Sequence, residues 1–435
     1  MPKRIAFHHF GCKVNFSEAS SISREFREHG YELTDHKAHA DIYVISTCAV
    51  TREAEKKCIY AIRQAHRQNP EARIAVIGCF SELSPEEIQK IDGVSLVLGQ
   101  SEKFRLLELI EEDLPYHVPR TTYHVPRSTS DILRSTSFTP SYSLGDRTRS
   151  FLKIQDGCDY YCSYCTIPLA RGRSRSDTIA HVVEEARQIA ASGTREIVLT
   201  GVNIGDFGRQ NGETFLQLVE ALDREPGLPP RIRISSIEPD LLNDRLIELV
   251  ASSDRLMPHF HIPLQSGSDN LLKAMRRKYD TALYAGRIEK IRSLLPFACI
   301  AADVIVGFPG ESDEDFTETY RFLERIGISY MHAFSYSKRE RTKAAGLDGQ
   351  VPANLIRIRS ERLHQLSETK KMHFYESNRG RTESVLLESD HVNGLMHGFT
   401  SNYIKVKTRF DEEKVNTIVK VTLETLDDDL SFLIR

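Results

Sequence analysis

Along the first hundred residues, short β-branched runs alternate with stretches in which apolar positions recur every three or four residues. The apolar runs predict strands over Arg4–Phe10, Asp41–Thr47, Arg73–Gly78 and Val94–Leu98. The helical period predicts helices over Ser17–His29, Glu53–Gln68 and Pro85–Ile91. Strands separated by helices at this spacing pair in parallel, so residues 1–112 are expected to form a doubly wound α/β domain.

The pattern then breaks. Residues 113–148 are rich in Pro, Ser, Thr and Arg and carry the string YHVPR twice, at Tyr116–Arg120 and Tyr123–Arg127. The doublet is too short for a fold-forming repeat, and the segment reads as a connector. Alternation resumes from 149 to 377, with strands expected over Phe151–Gln155, Glu196–Thr200, Arg231–Ser236, His259–Leu264, Ile300–Val306 and Tyr330–Ser335, and a closing helix from Pro352 to about Glu376. Six β/α units are too few for an eight-stranded barrel and fit an open, partial (β/α)6 barrel. Residues 378–435 alternate in short runs (Ser384–Glu388, Tyr403–Thr408, Asn416–Thr425) around turns such as Asn393-Gly394, which reads as a small all-β module. The expected fold class is therefore α/β multidomain.

Composition narrows the field. The chain has 435 residues and a formal net charge of -3, so any nucleic-acid contact has to come from local patches. No apolar run reaches the roughly 18 residues of a membrane span. The first residues, MPKRIAFHHFGCKVN, lack the layout of a signal peptide, so a cytoplasmic protein is expected. There, eight cysteines point to metal ligands or reactive thiols rather than disulfides.

Six of the eight fall into two groups. Gly157–Cys165 reads GCDYYCSYC, with Cys158, Cys162 and Cys165 directly after a predicted strand. A loop leaving a strand can turn three thiolates to one point, and three thiolates on a cubane iron–sulfur cluster leave its fourth iron open for chemistry. A structural zinc site is the alternative, but no fourth cysteine follows until Cys299. Cys12, Cys48 and Cys79 each follow one of the first three predicted strands, in FGCKVN, STCAV and IGCF. The carboxyl ends of parallel strands share one edge, where ligands bind, so these three read as ligands of a second cluster. Buried structural cysteines are the alternative there. Cys58 and Cys299 lack such partners and are expected to be core or surface thiols.

The CxxxCxxC string at the first strand of a partial barrel resembles the radical S-adenosylmethionine (SAM) superfamily. That resemblance implies a 4Fe-4S cluster that binds SAM through its open iron, with Tyr164, just before the third cysteine, packed near the adenine. Two three-cysteine groups in this order, followed by a small β module, resemble the methylthiotransferase family of radical SAM enzymes over essentially the whole chain. The resemblance implies an N-terminal methylthiotransferase domain, a radical SAM core and a C-terminal TRAM domain. It also implies two 4Fe-4S clusters, two SAM consumed per turnover, and a reductant such as flavodoxin or ferredoxin. FGCKVN, STCAVTREAEKK and IQDGCDYYCSYCTIPLARGRSRS resemble the subgroup that acts on N6-threonylcarbamoyladenosine in tRNA. The other subgroups act on isopentenyladenosine in tRNA and on a ribosomal-protein aspartate. A non-catalytic iron–sulfur scaffold or electron carrier is the rival from another class.

In that family, strand-end motifs surround SAM. Gly201 and Asn203 in LTGVNIGDFG, Ser236 and Glu238 in SSIEP, and Gln265 and Ser266 in PLQSGS stand at the matching places. A turn or helix cap is the plainer explanation for each motif taken singly. The family's YSxRxGTxA becomes Tyr336-Ser337-Lys338-Arg339-Glu340-Arg341-Thr342-Lys343-Ala344. Arg341 replaces Gly there, and a reshaped loop is expected. Two basic sets are candidates for RNA phosphates: Arg171, Arg173 and Arg175 beyond the cysteine loop, and Lys405, Lys407 and Arg409 on one face of a predicted strand.

Overall fold

The computed structural model describes residues 2–112 and 137–434. The YHVPR doublet and most of the expected connector lie outside the described residues. The chain forms two compact units. One contains Met1–Leu144 with Asp156–Tyr161 and Cys165–Arg175; the other contains Gly145–Gln155, Cys162–Tyr164 and Ser176–Arg435. No helix among the described residues is long and apolar enough to cross a membrane.

The first unit is built on five strands: β1 (Arg4–His9), β2 (Glu32–Thr34), β3 (Ile42–Thr47), β4 (Arg73–Gly78) and β5 (Val94–Leu98). All pair in parallel, in the order β2-β1-β3-β4-β5. Because both faces are covered, the central strands are apolar almost throughout, and β3 is buried at every position. One face packs on α2 (Arg52–Gln68) through Cys58, Ala61, Ile62 and Ala65. The other packs on α1 (Lys13–Glu28) through Ile22 and Phe26. The sequence pattern missed β2, whose three residues are too few to show a period. It also started α1 four residues late, because Asn15 in the missed turn is polar yet buried. The expected helix over Pro85–Ile91 is two short ones, Cys79–Leu83 and Pro85–Gln89. They break at Ser84, which precedes a proline and is extended in φ. Within the expected connector, Ser141–Tyr142 is a short strand on α1, with the Tyr142 ring under the Arg24 guanidinium.

The second unit carries six parallel barrel strands: β6 (Ser150–Lys153), β7 (Glu196–Thr200), β8 (Arg231–Ile234), β9 (His259–His261), β10 (Cys299–Val306) and β11 (Tyr330–Ser335). Ladders join β6, β7 and β8, and likewise β9, β10 and β11. Single bridges, Ile232–Leu256 and Ser236–His261, link the two sets. The helix Ala353–Ser377 packs on β11 and leads into a six-stranded sheet that curls into a half-barrel. Its core holds Phe374, Val385, Met396, Ile404, Val406 and Phe432, and it also takes in Cys299. A buried carboxylate braces this sheet against the barrel. Glu196 lies 2.8 Å from Arg233 and 3.6 Å from Arg231. Arg231 donates to the carbonyls of Phe399 and Ser384, and Arg233 to that of Ser401. Burial pushes the Glu196 carboxyl up, but the guanidiniums of Arg233, Arg149 and Arg231 outweigh it and hold the group low.

Arg341 adopts φ +68, the left-handed region that a glycine would occupy freely, at a cost of about 1–2 kcal/mol. Thr342 closes the turn by donating through both its N–H and its hydroxyl to the Arg339 carbonyl.

The end of β4 is more tightly constrained. Gly78 has φ +107 and ψ −156, and a Cβ there would stand 2.7 Å from the Thr47 carbonyl oxygen. Gly78→Ala is expected to cost about 2–4 kcal/mol in denaturant unfolding, from backbone strain and overpacking together. Gly30→Ala, at φ +84 in open space, is expected to cost only about 1 kcal/mol. Equal losses at the two positions would show that the contact with Thr47 is not limiting.

Candidate active site

The parallel register of β1, β3 and β4 sets the first group of thiols. Cys12 caps the start of α1, Cys48 directly follows β3, and Cys79 directly follows β4. A Cβ on Gly11 would stand 3.0 Å from the Cys48 Cβ and 3.4 Å from its Sγ, so Gly11 lets the turn before Cys12 lie against Cys48. Cys12 is exposed; Cys48 and Cys79 are buried. Burial, with the nearby Cys79 and Cys12 adding to it, pushes the Cys48 thiol up to about 12. Burial also raises Cys79, although Arg171 and Lys103 pull the other way. Buried thiols such as Cys48 and Cys79 ionise readily beside a cationic centre, which is the donor chemistry of a metal cluster. Cys58, held near 11 by burial, points into the core on α2, and Cys299 is likewise buried.

Behind Cys79 lies a buried polar network. Gln100 Nε2 donates to Cys79 Sγ at 3.3 Å, and its Oε1 accepts from Lys103 Nζ at 2.5 Å. Lys103 Nζ also reaches Glu18 at 2.5 Å. Arg171 donates to Glu18 at 2.9 Å, to Asp156 at 2.8 Å and to the side-chain oxygen of Asn15. Asn15 in turn donates to the carbonyls of Thr47 and Phe10, at the ends of β3 and β1. Arg171 is 2% exposed, so its expected role as an RNA contact is corrected: its donors are spent on buried carboxylates. Arg175 is corrected likewise, being 8% exposed and bound to Asp156 at 2.9 Å. Arg173 remains exposed, paired with Asp159 at 3.2 Å. The sequence offered no sign of Gln100, Glu18 or Lys103 as neighbours of a cysteine.

The second cysteine group lies in a loop. Cys158 Sγ accepts from the Tyr160 N–H and Cys165 Sγ from the Ile167 N–H, each at 3.4 Å. Cys162 Sγ accepts from Arg277 Nη1 at 3.1 Å. Burial pushes the Cys162 thiol up, with the Arg277 charge opposing. Arg277 was not evident from the sequence, because only the turn after helix Asp269–Ala274 brings it to the loop. It also pairs with Glu238 and donates to Tyr279 Oη at 3.0 Å, with Tyr164 Oη at 3.4 Å. Burial raises Glu238 to about 7 against the pull of Arg277.

The remaining strand-end residues divide. Gly201 sits where a Cβ would meet Gln155 Oε1 at 3.0 Å, and that oxygen accepts the N–H groups of Val202 and Asn203 at 3.0 and 2.7 Å. The Asn203 side chain is buried, yet neither of its polar atoms has a hydrogen-bond partner. An amide held dry with an unused donor and acceptor suits a polar ligand such as SAM. Tyr164 packs edge-on against Phe308. Ser236 bridges His261, and Gln265 adopts φ +66 between β9 and β10. Ser266 is different: its hydroxyl bonds Thr319 at 3.1 Å and accepts the Ser268 N–H at 3.2 Å, so the expected cofactor contact is corrected to a packing role. In the C-terminal sheet, Lys407 is bound by Asp427 at 2.5 Å and Asp429 at 3.0 Å, and its charge is spent there. Lys405 is half-buried, and Arg409 is exposed.

Removing the guanidinium at 171 would leave two buried carboxylates short of a partner. Glu18 would keep Lys103 and Asp156 would keep Arg175, so Arg171→Met is expected to cost about 3 kcal/mol, the low end for a broken buried pair. Arg173→Met, at an exposed pair, is expected to stay within about 0.5 kcal/mol of the parent. Anaerobic urea unfolding of both variants measures the difference; a small loss for Arg171→Met would refute the network.

Comparison with known proteins bears on the same elements. Residues 4–99 match the model described as Uncharacterized protein family UPF0004, and residues 152–323 match the Radical SAM superfamily. The chain is 39% identical over 426 residues to a Bacillus subtilis protein named Threonylcarbamoyladenosine tRNA methylthiotransferase MtaB, covering 96% of this chain and 93% of that one. A protein of the same name from Aquifex aeolicus is 36% identical, covering 97% and 100%. A Bacillus pumilus protein named tRNA-2-methylthio-N(6)-dimethylallyladenosine synthase is 32% identical, covering 95% and 82%. Among solved structures, the radical S-adenosylmethionine methyltransferase TsrM from Kitasatospora setae shares the fold, with a TM-score of 0.55 at 14% identity, covering 91% and 81%. The chain belongs to the radical SAM methylthiotransferase family, whose members use 4Fe-4S clusters and SAM.

Proposed function

We propose that this enzyme converts N6-threonylcarbamoyladenosine in tRNA to its 2-methylthio derivative. The observation that carries the reading is near-full-length similarity to relatives of that name, in a chain that presents two three-cysteine groups. In this reading Cys158, Cys162 and Cys165 hold the cluster that binds SAM, and Cys12, Cys48 and Cys79 hold the second. When bound, these groups supply a 5′-deoxyadenosyl radical and the sulfur that is methylated and transferred.

The chain's own residues then have separable tasks. Gly201 lets the strand end pack against Gln155 and Ile204, and the unpaired amide of Asn203 offers the ligand a donor and an acceptor. Glu238, held in place by Arg277, is positioned to take ribose hydroxyls. Arg277 also stabilises negative charge on Cys162 through a direct hydrogen bond. Tyr164 closes the adenine side. The work is placed in the cytoplasm with tRNA, and the electrons come from a reductant such as flavodoxin or ferredoxin.

Two measurements test this. Anaerobic reconstitution with iron and sulfide is expected to load about eight irons, and Cys162→Ala to abolish 5′-deoxyadenosine formation while about half the iron remains. Iron near four in the parent would overturn the two-cluster assignment. Mass spectrometry of tRNA nucleosides from a strain lacking the gene is expected to show loss of methylthio-threonylcarbamoyladenosine. Loss of the methylthio-dimethylallyl nucleoside instead would assign the other tRNA substrate.

A further inference from the structure

The outer face of α2 carries an exposed stripe of positive charge. At 100° per residue, Arg52, Lys56, Tyr60, Arg63 and Arg67 fall within an arc of about 80°. Cys58, Ala61, Ile62 and Ala65, all 3% exposed or less, lie on the opposite side of the helix. The five stripe residues are all exposed, and Tyr60 is 62% exposed. The helix holds five cations (these four with Lys57) and two carboxylates (Glu53 and Glu55), in a chain whose formal net charge is -3. Neither carboxylate lies in the arc, although Glu53 touches its edge at 3.9 Å from Lys56.

A merely solvated helix face would alternate signs to gain i,i+4 pairs. Here Arg52–Lys56 and Arg63–Arg67 are like-charge i,i+4 pairs, which oppose helix formation. The stripe therefore acts against the fold locally, and its purpose is to be sought outside the chain. An exposed tyrosine among cations, with the Arg67 guanidinium 6.0 Å from its ring, is the composition that grips a nucleic-acid backbone and stacks a base. The need for such a patch is independent: Arg171, Arg175 and Lys407, expected to meet RNA, are neutralised by buried or local carboxylates. The stripe is also well placed, since α2 begins at Arg52, four residues after Cys48, and runs about 22 Å from there to Arg67.

We propose that the Arg52–Lys56–Tyr60–Arg63–Arg67 face of α2 binds the phosphate backbone of the tRNA substrate. This rests on the reading of the enzyme as tRNA-modifying but not on which nucleoside it modifies. An acidic reductant protein would be attracted by charge alone; the exposed tyrosine favours RNA.

The test uses the full-length reconstituted enzyme, a triple variant Lys56→Gln, Arg63→Gln, Arg67→Gln, a single Tyr60→Ala, and a conservative triple Lys56→Arg, Arg63→Lys, Arg67→Lys. Binding to a tRNA that carries threonylcarbamoyladenosine and to one that does not is followed by fluorescence anisotropy between about 50 and 200 mM salt. The neutral triple is expected to weaken binding of both tRNAs at least about tenfold and to flatten the salt slope by about two to three. The conservative triple should restore both. Tyr60→Ala should weaken binding without changing the slope. Iron content and SAM cleavage in the absence of tRNA should match the parent in every variant. Unchanged affinity and slope in the neutral triple would overturn the proposal, as would a parent enzyme that binds neither tRNA. So would normal tRNA binding combined with a raised KM for flavodoxin and normal dithionite-driven turnover, which would assign the face to the reductant. Binding to both tRNAs with the predicted losses, but no methylthio product, would uphold the stripe and sink the nucleoside assignment.

Discussion

The guanidinium of Arg171 is cut off from water and surrounded by Glu18, Asp156 and Asn15. A charge in that position is tolerable only because two carboxylates and an amide satisfy its donors together. Each partner leads elsewhere. Asn15 ties down the ends of β1 and β3, which carry Cys12 and Cys48. Glu18 is shared with Lys103, whose other acceptor, Gln100, bonds the Cys79 sulfur. Asp156 stands two residues before Cys158 and also holds Arg175. One buried cation thus couples the helix behind the first cysteine group to the strand end that opens the second.

The second unit solves a similar problem with the signs reversed. There a single buried carboxylate, Glu196, is surrounded by Arg149, Arg231 and Arg233; Arg231 and Arg233 spend other donors on carbonyls of the C-terminal sheet, and Arg149 donates to its Glu388 and Tyr403 side chains. Arg277 repeats the device next to Cys162, with Glu238 as its counter-ion. In each case one ion's desolvation is offset by several partners at once, which makes the geometry specific because no partner can move alone. Arg341 is the contrasting case. It stands at a left-handed φ suited to glycine, in a turn closed by the Thr342 hydroxyl on the Arg339 carbonyl.

Much of this was legible in the residues. Four of the five strands of the first unit and all six barrel strands follow from apolar runs, since a parallel strand covered on both faces is largely apolar. Both cysteine groups were legible for a related reason: one is a tight local spacing, and the other marks equivalent strand ends. Half the basic candidates failed, because a cation reads the same in sequence whether it faces phosphate or a buried aspartate. Ser266 failed for the same reason, its hydroxyl being claimed by Thr319.

The sequence by itself determined the layers, the order of the domains and the six thiols, because periodicity and spacing are properties of neighbouring positions along the chain. Only the tertiary structure decided which charges are spent. Glu18 and Arg171 are 153 residues apart, and Cys162 and Arg277 are 115. Pairing at that range depends on where whole strands and helices come to rest, and a single sequence carries no local mark of it. The tertiary structure likewise decided that the basic face of α2 lies at the surface.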